Sequence, residues 1–410
     1  MFTRLSCGLL LLLLLALPGL TSASELVTII YMDHLVPQQA KALEPIFEKA
    51  RAEIGVDVQL IYTSYGEFLD KLVAMVISGN APDLINATNS SVFLVEEGIL
   101  GGMDEYLQTG EITRTIHPPA LEALTWRGEL FGIPFAVNTW LQGYNRFMFD
   151  DAGLTYPPGE WDASYWTWQD YFDVAKKLTL DLNNDGTIDQ WGVAMLPEMH
   201  WLPYWWGDTL LEEGAKTLRV TPAVVEAIQF FADYGPTVMS TGSLVGGTAA
   251  MTGFGSWVTI DYAKQLPDFD LAPNPRGTIA WAPAHVDGLT ILRQSEQKEA
   301  AWRFITWLVN DPENLKMYNL ARHGYGTLSA YMGDQYPLDY AAAYPEFQLR
   351  WQVLMDATMY LGKDVAMYNA SWQEISPILS FAWSQIFGGQ SSAATMLEQL
   401  RPSMDFLLRQ

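Results

Sequence analysis

Gly79-Asn-Ala-Pro-Asp-Leu-Ile-Asn-Ala-Thr-Asn-Ser-Ser91 is the stretch on which the fold turns. Before it, Tyr65, Phe68, Leu69, Leu72, Val73 and Val76 recur at helical spacing. The stretch ends that helix, runs a short buried strand over 83–86 and opens into a polar loop with Thr88 and Asn89. An open α/β sheet places its ligand groups beyond the carboxyl ends of its strands, so polar groups are expected to converge there.

Working outward, 26–32 reads as a buried strand and 37–51 as a helix with Leu43, Ile46, Phe47 and Ala50 on one face. Residues 56–62 read as the next strand, and 92–97 start a further helix. The order βαβαβ predicts a mostly parallel sheet covered by helices. The pattern changes at 126–134, a tight turn between strands, and at 135–147, a long extended run fit to cross into a second lobe. Helices follow at 165–180, with Thr167 as N-cap, and at 222–234. Strands are expected at 249–257, with a Gly-rich exit, and at 288–292. An amphipathic helix spans 297–309, and the tail 345–410 reads as helical with a break at Gly388-Gly389.

The first 24 residues read as a secretory signal: Arg4, an apolar run over 9–17 and the small residues Ser22-Ala23-Ser24. The run is too short to span a bilayer. Cys7, the only cysteine, precedes it, which leaves the mature chain without a thiol, a disulfide or a Cys-ligated metal. Formal net charge is −24, and loss of Arg4 makes it −25. Phosphate backbones need Lys and Arg, so a nucleic-acid partner is excluded from the expectation; self-repulsion favours a soluble monomer.

Several markers occur in order along the mature chain: Gly79-Asn-Ala-Pro-Asp83, Gly132-Ile-Pro134, Gly143-Tyr-Asn145 and Phe149-Asp-Asp-Ala-Gly-Leu154. Ala249-Ala-Met-Thr-Gly-Phe-Gly-Ser-Trp257, Gly288 and Glu299-Ala-Ala-Trp-Arg-Phe304 follow. In order and spacing the chain resembles the extracellular solute-binding proteins of ABC transporters, in the maltose-binding-like branch called family 1. The resemblance implies an α/β, two-lobe periplasmic binding protein fold (type II), with hinge-linked lobes closing on a ligand between them. Expected boundaries are 1–24 for the signal peptide, 25–136 plus 286–335 for the N-terminal lobe, and 137–285 plus 336–410 for the C-terminal lobe. The implied function is periplasmic capture of a mono- or oligosaccharide for a membrane permease, without covalent chemistry. A secreted carbohydrate-active enzyme, or a binder of a polyol or polyamine, is the alternative.

The chain has 16 Trp and 19 Tyr. An aromatic face covers the C–H face of a sugar ring while polar neighbours bond its hydroxyls. Trp257 stands where the resemblance places a stacking aromatic. Trp201 and Trp205 lie in the Pro-broken run His200-Trp-Leu-Pro-Tyr-Trp-Trp206, and Trp140 lies on the crossover run, where ligand contact and hinge packing both fit. Polar candidates stand at strand ends: Asp33 after the first, Tyr65 after the second, Asn89 after the third. Asp287, Arg322 and Tyr325 lie near expected hinge crossings. Carboxylates accept two sugar hydroxyls at once, whereas for Asp33 the other reading is a charge at a helix N-terminus.

Asp181-Leu-Asn-Asn-Asp-Gly-Thr-Ile-Asp189 offers oxygens from Asp181, Asn183, Asp185, Thr187 (backbone) and Asp189, with Gly186 at the turn. This matches the first part of an EF-hand loop and raises the expectation of a structural Ca²⁺. The twelfth position is Gly192 instead of a bidentate Glu; the alternative is an Asx-rich turn.

Overall fold

The computed structural model describes residues 26–212, 214–239, 242–323, 327–334, 336–364, 369 and 371–409. The expected export signal and Tyr325 lie outside the described residues.

The chain opens with β1 (Val27–His34), α1 (Pro37–Ile54), β2 (Val56–Thr63), α2 (Tyr65–Ile77) and β3 (Leu84–Thr88). Both β2 and β3 pair parallel with β1, as βαβ crossovers require. The face of α1 that carries Ala40, Leu43, Ile46, Phe47 and Ala50 is buried, because apolar residues three and four apart share a helical face.

The antiparallel strand Ala282–Ile291 lies beside β3, and the strand Ile133–Asn145 lies beside it in turn. All thirteen residues of Ile133–Asn145 are buried, which is why the run shows no alternation. Up to Thr139 it pairs with Ala282–Ile291; from Trp140 it pairs with Ala249–Gly255 and Phe269–Ala272. Trp191–Val193 adds to Ala249–Gly255 in parallel. One continuous chain segment is therefore shared by two sheet halves, each with its own helices: the two-lobe α/β architecture. The expected boundaries at 136/137 and 285/286 fall inside these two crossing strands.

Two hydrophobic clusters form the core. The first gathers Tyr31, Leu43, Leu72, Phe135, Ile305 and Tyr318 around β1–β3. The second gathers Tyr144, Trp168, Phe172, Trp205, Phe231 and Ile375. Tyr336, Tyr340, Trp351 and Leu354 pack into the first cluster, which also reaches Phe254 and Phe269 and so continues across the junction.

Several elements differ from the sequence reading. The strand expected at 288–292 begins at Ala282; Ala282, Pro283 and Ala284 are residue types with little strand propensity, so the first half carries a weak strand signal. Arg146 and Phe147 belong to the short helix Arg146–Asp151 rather than to the crossing strand. The helix expected from 165 starts at Trp168, behind the Thr167 cap that accepts from the Asp170 amide. The tail is not wholly helical: Leu361–Lys363 pairs parallel with Ala282–Ala284.

Candidate interlobe binding site

A cavity of ≈ 680 Å³ lies between the lobes, at the carboxyl ends of β1 and β3 and against both crossing strands. From the first lobe come His34, Gln39, Tyr65, Asn89 and Arg322; from the crossing strands Asn138, Trp140, His285 and Asp287; from the second lobe Glu198, His200, Trp201, Trp257 and Trp372.

The crossing strands set its floor. Side chains two apart on a strand share a face, so Asn138 and Trp140 look the same way, as do His285 and Asp287, and Asn138 stands opposite His285. Asp287, almost fully buried, accepts from Asn86 Nδ2 at 3.0 Å and from Asn138 Nδ2 at 3.1 Å.

Behind this floor sits Arg322, fully buried. Its Nε and one terminal nitrogen donate to the two oxygens of Asp33 at 2.7 and 2.8 Å, and its other terminal nitrogen stands 3.3 Å from Asp287. Such a bidentate pair holds geometry as well as charge. Burial alone would raise the Asp33 pKa; the guanidinium beside it reverses this and holds the carboxyl below the usual range. Asp33 also accepts from Tyr31 Oη at 2.5 Å and from the His34 amide at 2.7 Å. It is a brace for Arg322 and does not line the cavity.

The second lobe supplies an aromatic wall. Trp140 meets Trp201 at 5.3 Å between ring centroids, and His285 meets Trp201 at 5.5 Å and Trp257 at 5.8 Å. Glycines make room for these rings. A Cβ on Gly253 would lie 2.5 Å from Trp140 Nε1, and one on Gly255 would lie 2.2 Å from the six-membered ring of Trp257. Asp364, fully buried, accepts from Trp201 Nε1 at 2.6 Å and pairs with His200 Nε2 at 3.2 Å. Glu198 approaches the other imidazole nitrogen at 3.4 Å. Burial pushes the His200 pKa down, but Asp364 and then Glu198 outweigh it and hold the imidazole above its usual value. His285 goes the other way, lowered chiefly by burial.

This is a cleft with indole faces on one side and fixed hydrogen-bonding groups on the other, at the join of two lobes. The profile of the family described as bacterial extracellular solute-binding protein matches residues 45–348. The chain belongs to that family.

Relatives of this solute-binding chain include a maltotriose-binding protein of Pyrococcus abyssi, 23% identical over 319 residues, which are 71% of this chain and 64% of that protein. A putative binding protein of Brucella abortus is 22% identical over 89% of this chain and 90% of its own. Among solved structures, an ABC substrate-binding protein from Listeria monocytogenes in complex with cycloalternan has a TM-score of 0.76 at 20% identity, covering 92% of this chain and 98% of that one. The cyclic alpha-maltosyl-1,6-maltose binding protein from Arthrobacter globiformis has a TM-score of 0.78 at 17% identity, covering 93% and 99%. The fold is that of the two-lobe periplasmic sugar-binding proteins.

Tyr65, Asn89, Trp140, Trp201, Trp257, Asp287 and Arg322 line the cavity of this family member. Trp205 does not. It is fully buried against Trp168 and Trp281, and its Nε1 donates to Trp281 O at 3.0 Å. The segment Met199–Trp206 is a 3₁₀ helix with about three residues per turn, so residues four apart face different ways: Trp201 to the cleft, Trp205 to the core. Asn138, Glu198, His200 and His285 also line the cavity and were not among the sequence candidates for the site. Period two counted back from Asp287 and Trp140 points to His285 and Asn138, but only once the strand limits are known.

The Asp181–Asp189 loop lies away from the cleft. Its carboxylates and amide turn to its own backbone: Asp181 accepts from the Asp185 and Gly186 amides, Asn183 from Asp185, Asp185 from Thr187, and Asp189 from Leu182. A Cβ on Gly192 would lie 2.1 Å from Ala175 O, so the twelfth position has no room for a bidentate carboxylate. Among the described residues no three acidic, His or Cys side chains gather into a metal-holding group. The loop therefore offers the first part of an EF-hand donor set without its twelfth-position carboxylate.

Proposed function

We propose that this protein captures a sugar between its two lobes and delivers it unaltered to the membrane permease of an ABC importer. The observation that carries this is the pairing of an indole wall (Trp140, Trp201, Trp257, Trp372) with fixed polar groups (Asn89, Asn138, Asp287) in one interlobe cavity. Indoles cover the apolar face of a pyranose, and the amides and carboxylate opposite bond its hydroxyls. The relatives that bind maltotriose, cycloalternan and cyclic maltosyl-maltose support the ligand class. Ligand contacts from both lobes favour the closed arrangement by differential affinity.

The carbohydrate-active enzyme is the weaker reading. Hydrolysis needs two carboxyl groups flanking the scissile bond, one of them protonated. Asp287 is held by Arg322 and two amides, and Asp364 by His200 and Trp201. His200 and Trp201 hold the Asp364 carboxyl below its usual range despite its burial, which disfavours the protonated form a general acid needs. The −24 net charge supports a soluble monomer with no nucleic-acid partner, and no described helix is long and apolar enough to cross a membrane. Export with cleavage after residue 24, and a periplasmic location, complete the proposal.

The test is indole fluorescence during titration with a sugar panel. Saturable quenching or a blue shift in the unsubstituted protein, lost in Trp257→Ala, supports capture in this cleft. A response that survives Trp257→Ala and Trp201→Ala moves the ligand elsewhere.

A further inference from the structure

The interlobe cavity does not end at Tyr65. A second cavity of ≈ 500 Å³ abuts it, and the two share His34, Tyr65, Thr88, Ser90 and Trp372 as lining. We propose that the two chambers are one elongated site for a neutral oligosaccharide of three or more rings. The inference rests on the sugar reading above and adds ligand length and charge to it.

The shared residues form a sill that a ligand crosses. Tyr65 is 61% exposed, yet it is braced: its ring stands edge-on to His34 at 5.1 Å, and its hydroxyl lies 3.2 Å from Ser90 Oγ. Ser90 Oγ is in turn 2.8 Å from Thr88 Oγ1. An exposed aromatic whose freedom is already restricted binds a ring face at reduced entropic cost. Trp372, across the sill, is fixed against His200 at 4.9 Å. Asn86, almost wholly buried, belongs to the wall of the second chamber, while its Nδ2 donates to Asp287 of the first. Its Oδ1 has no protein partner.

Size and charge narrow the ligand. The first chamber falls in the range of roughly 300–1,000 Å³ that encloses one drug-sized molecule, about the bulk of a disaccharide. The second adds apolar floor from Phe68 and Phe93 and acceptors from Asp70, Gln373 and Glu374. Among the described lining residues the second chamber has no Lys or Arg, and in the first Arg322 is engaged by Asp33 and Asp287. A uronate or a sulfated sugar therefore meets carboxylates, and the one guanidinium in the lining is already paired with Asp33 and Asp287. Neutral hydroxyls meet acceptors.

Calorimetric titration of the mature protein with homologous gluco-, xylo- and manno-oligosaccharide series, from one ring to five, tests this. Affinity is expected to rise about tenfold or more from two rings to three. Gly66→Phe supplies the control. Gly66 lines the second chamber, and a Cβ there meets nothing within 4 Å, so the variant is expected to fold and to place a ring in the chamber. It should erase the gain from the third ring and leave the two-ring affinity unchanged. A monosaccharide that binds as tightly as its trimer, or a trimer gain untouched by Gly66→Phe, overturns the inference and leaves sugar capture standing. Binding to no member of any series overturns both.

Discussion

Asp364 has no exposed surface, yet it decides how two cleft residues stand, since it holds both Trp201 and His200. The His200 pKa lies above its usual 6.5 and that of Asp364 below its usual 3.8. The stabilisation from His200 is complete below its unfolded value, about 6.5, and is lost as pH rises through the raised folded value. That from Asp364 is present above about 3.9 and is lost as pH falls through the depressed one. The pair is therefore at full strength in mildly acidic buffer, and melting temperature and ligand affinity are both expected to fall as pH is raised beyond neutrality. Removing one partner of a buried pair costs roughly 3–5 kcal/mol. Asp364→Asn should lower the melting temperature and abolish the alkaline decline. A decline of the same shape in Asp364→Asn would assign it to another group. Two tryptophans separate function from packing. Trp257 is 42% exposed in the cleft, so Trp257→Ala should cost on the order of 2 kcal/mol of binding, about thirtyfold in Kd, with little change in melting. Trp205 lies in the core, so Trp205→Ala should destabilise by roughly 3–5 kcal/mol. Urea unfolding and titration of both variants distinguish the two.

At the scale of elements, the strand Ala249–Gly255 ties sequence pattern to site shape. Gly255 has φ −77°, an ordinary value that any L residue adopts, so its glycine is explained by the indole lying over it and not by backbone strain. Gly255→Ala should leave unfolding nearly unchanged and weaken ligand binding by displacing Trp257; equal affinity for both proteins would detach that ring from the ligand. The Asp181–Asp189 turn offers a second element-scale test. Because the loop lacks the bidentate twelfth-position carboxylate, melting is expected to be the same in calcium and in chelator; a calcium-dependent rise lost in Asp185→Ala would establish a bound ion. Periodicity shows α1 and α2 in the sequence because each has one buried face, whereas β3 is buried along nearly its whole length and shows as a short run bounded by turn residues. Periodicity fails at Ala282–Ala284, where Ala and Pro carry little strand propensity, and at Leu361–Lys363, three residues too short to show a period. In the cleft, groups next to the chain's aromatic and acidic markers could be picked out. His285 and Asn138 could not, since their role comes from strand pairing between segments far apart in sequence.

Across the whole molecule, two lobes share the crossing strands, and the join passes through Thr139, whose hydroxyl donates to Pro283 O at 2.9 Å and whose amide donates to Ser256 Oγ at 3.2 Å. Closure about this join is expected to reduce the radius of gyration when ligand is added, as small-angle scattering would record. Capture of a sugar in the cleft and its return unchanged are tested most directly by thermal melting of the mature protein against sugars, polyols and amines, with the bound compound recovered and analysed afterwards. A ligand at ~100 times its Kd adds about 2.7 kcal/mol. A rise of several degrees confined to sugars, with the sugar recovered intact, is the expected result. A rise with amines alone, or recovery of a cleaved sugar, would contradict the account.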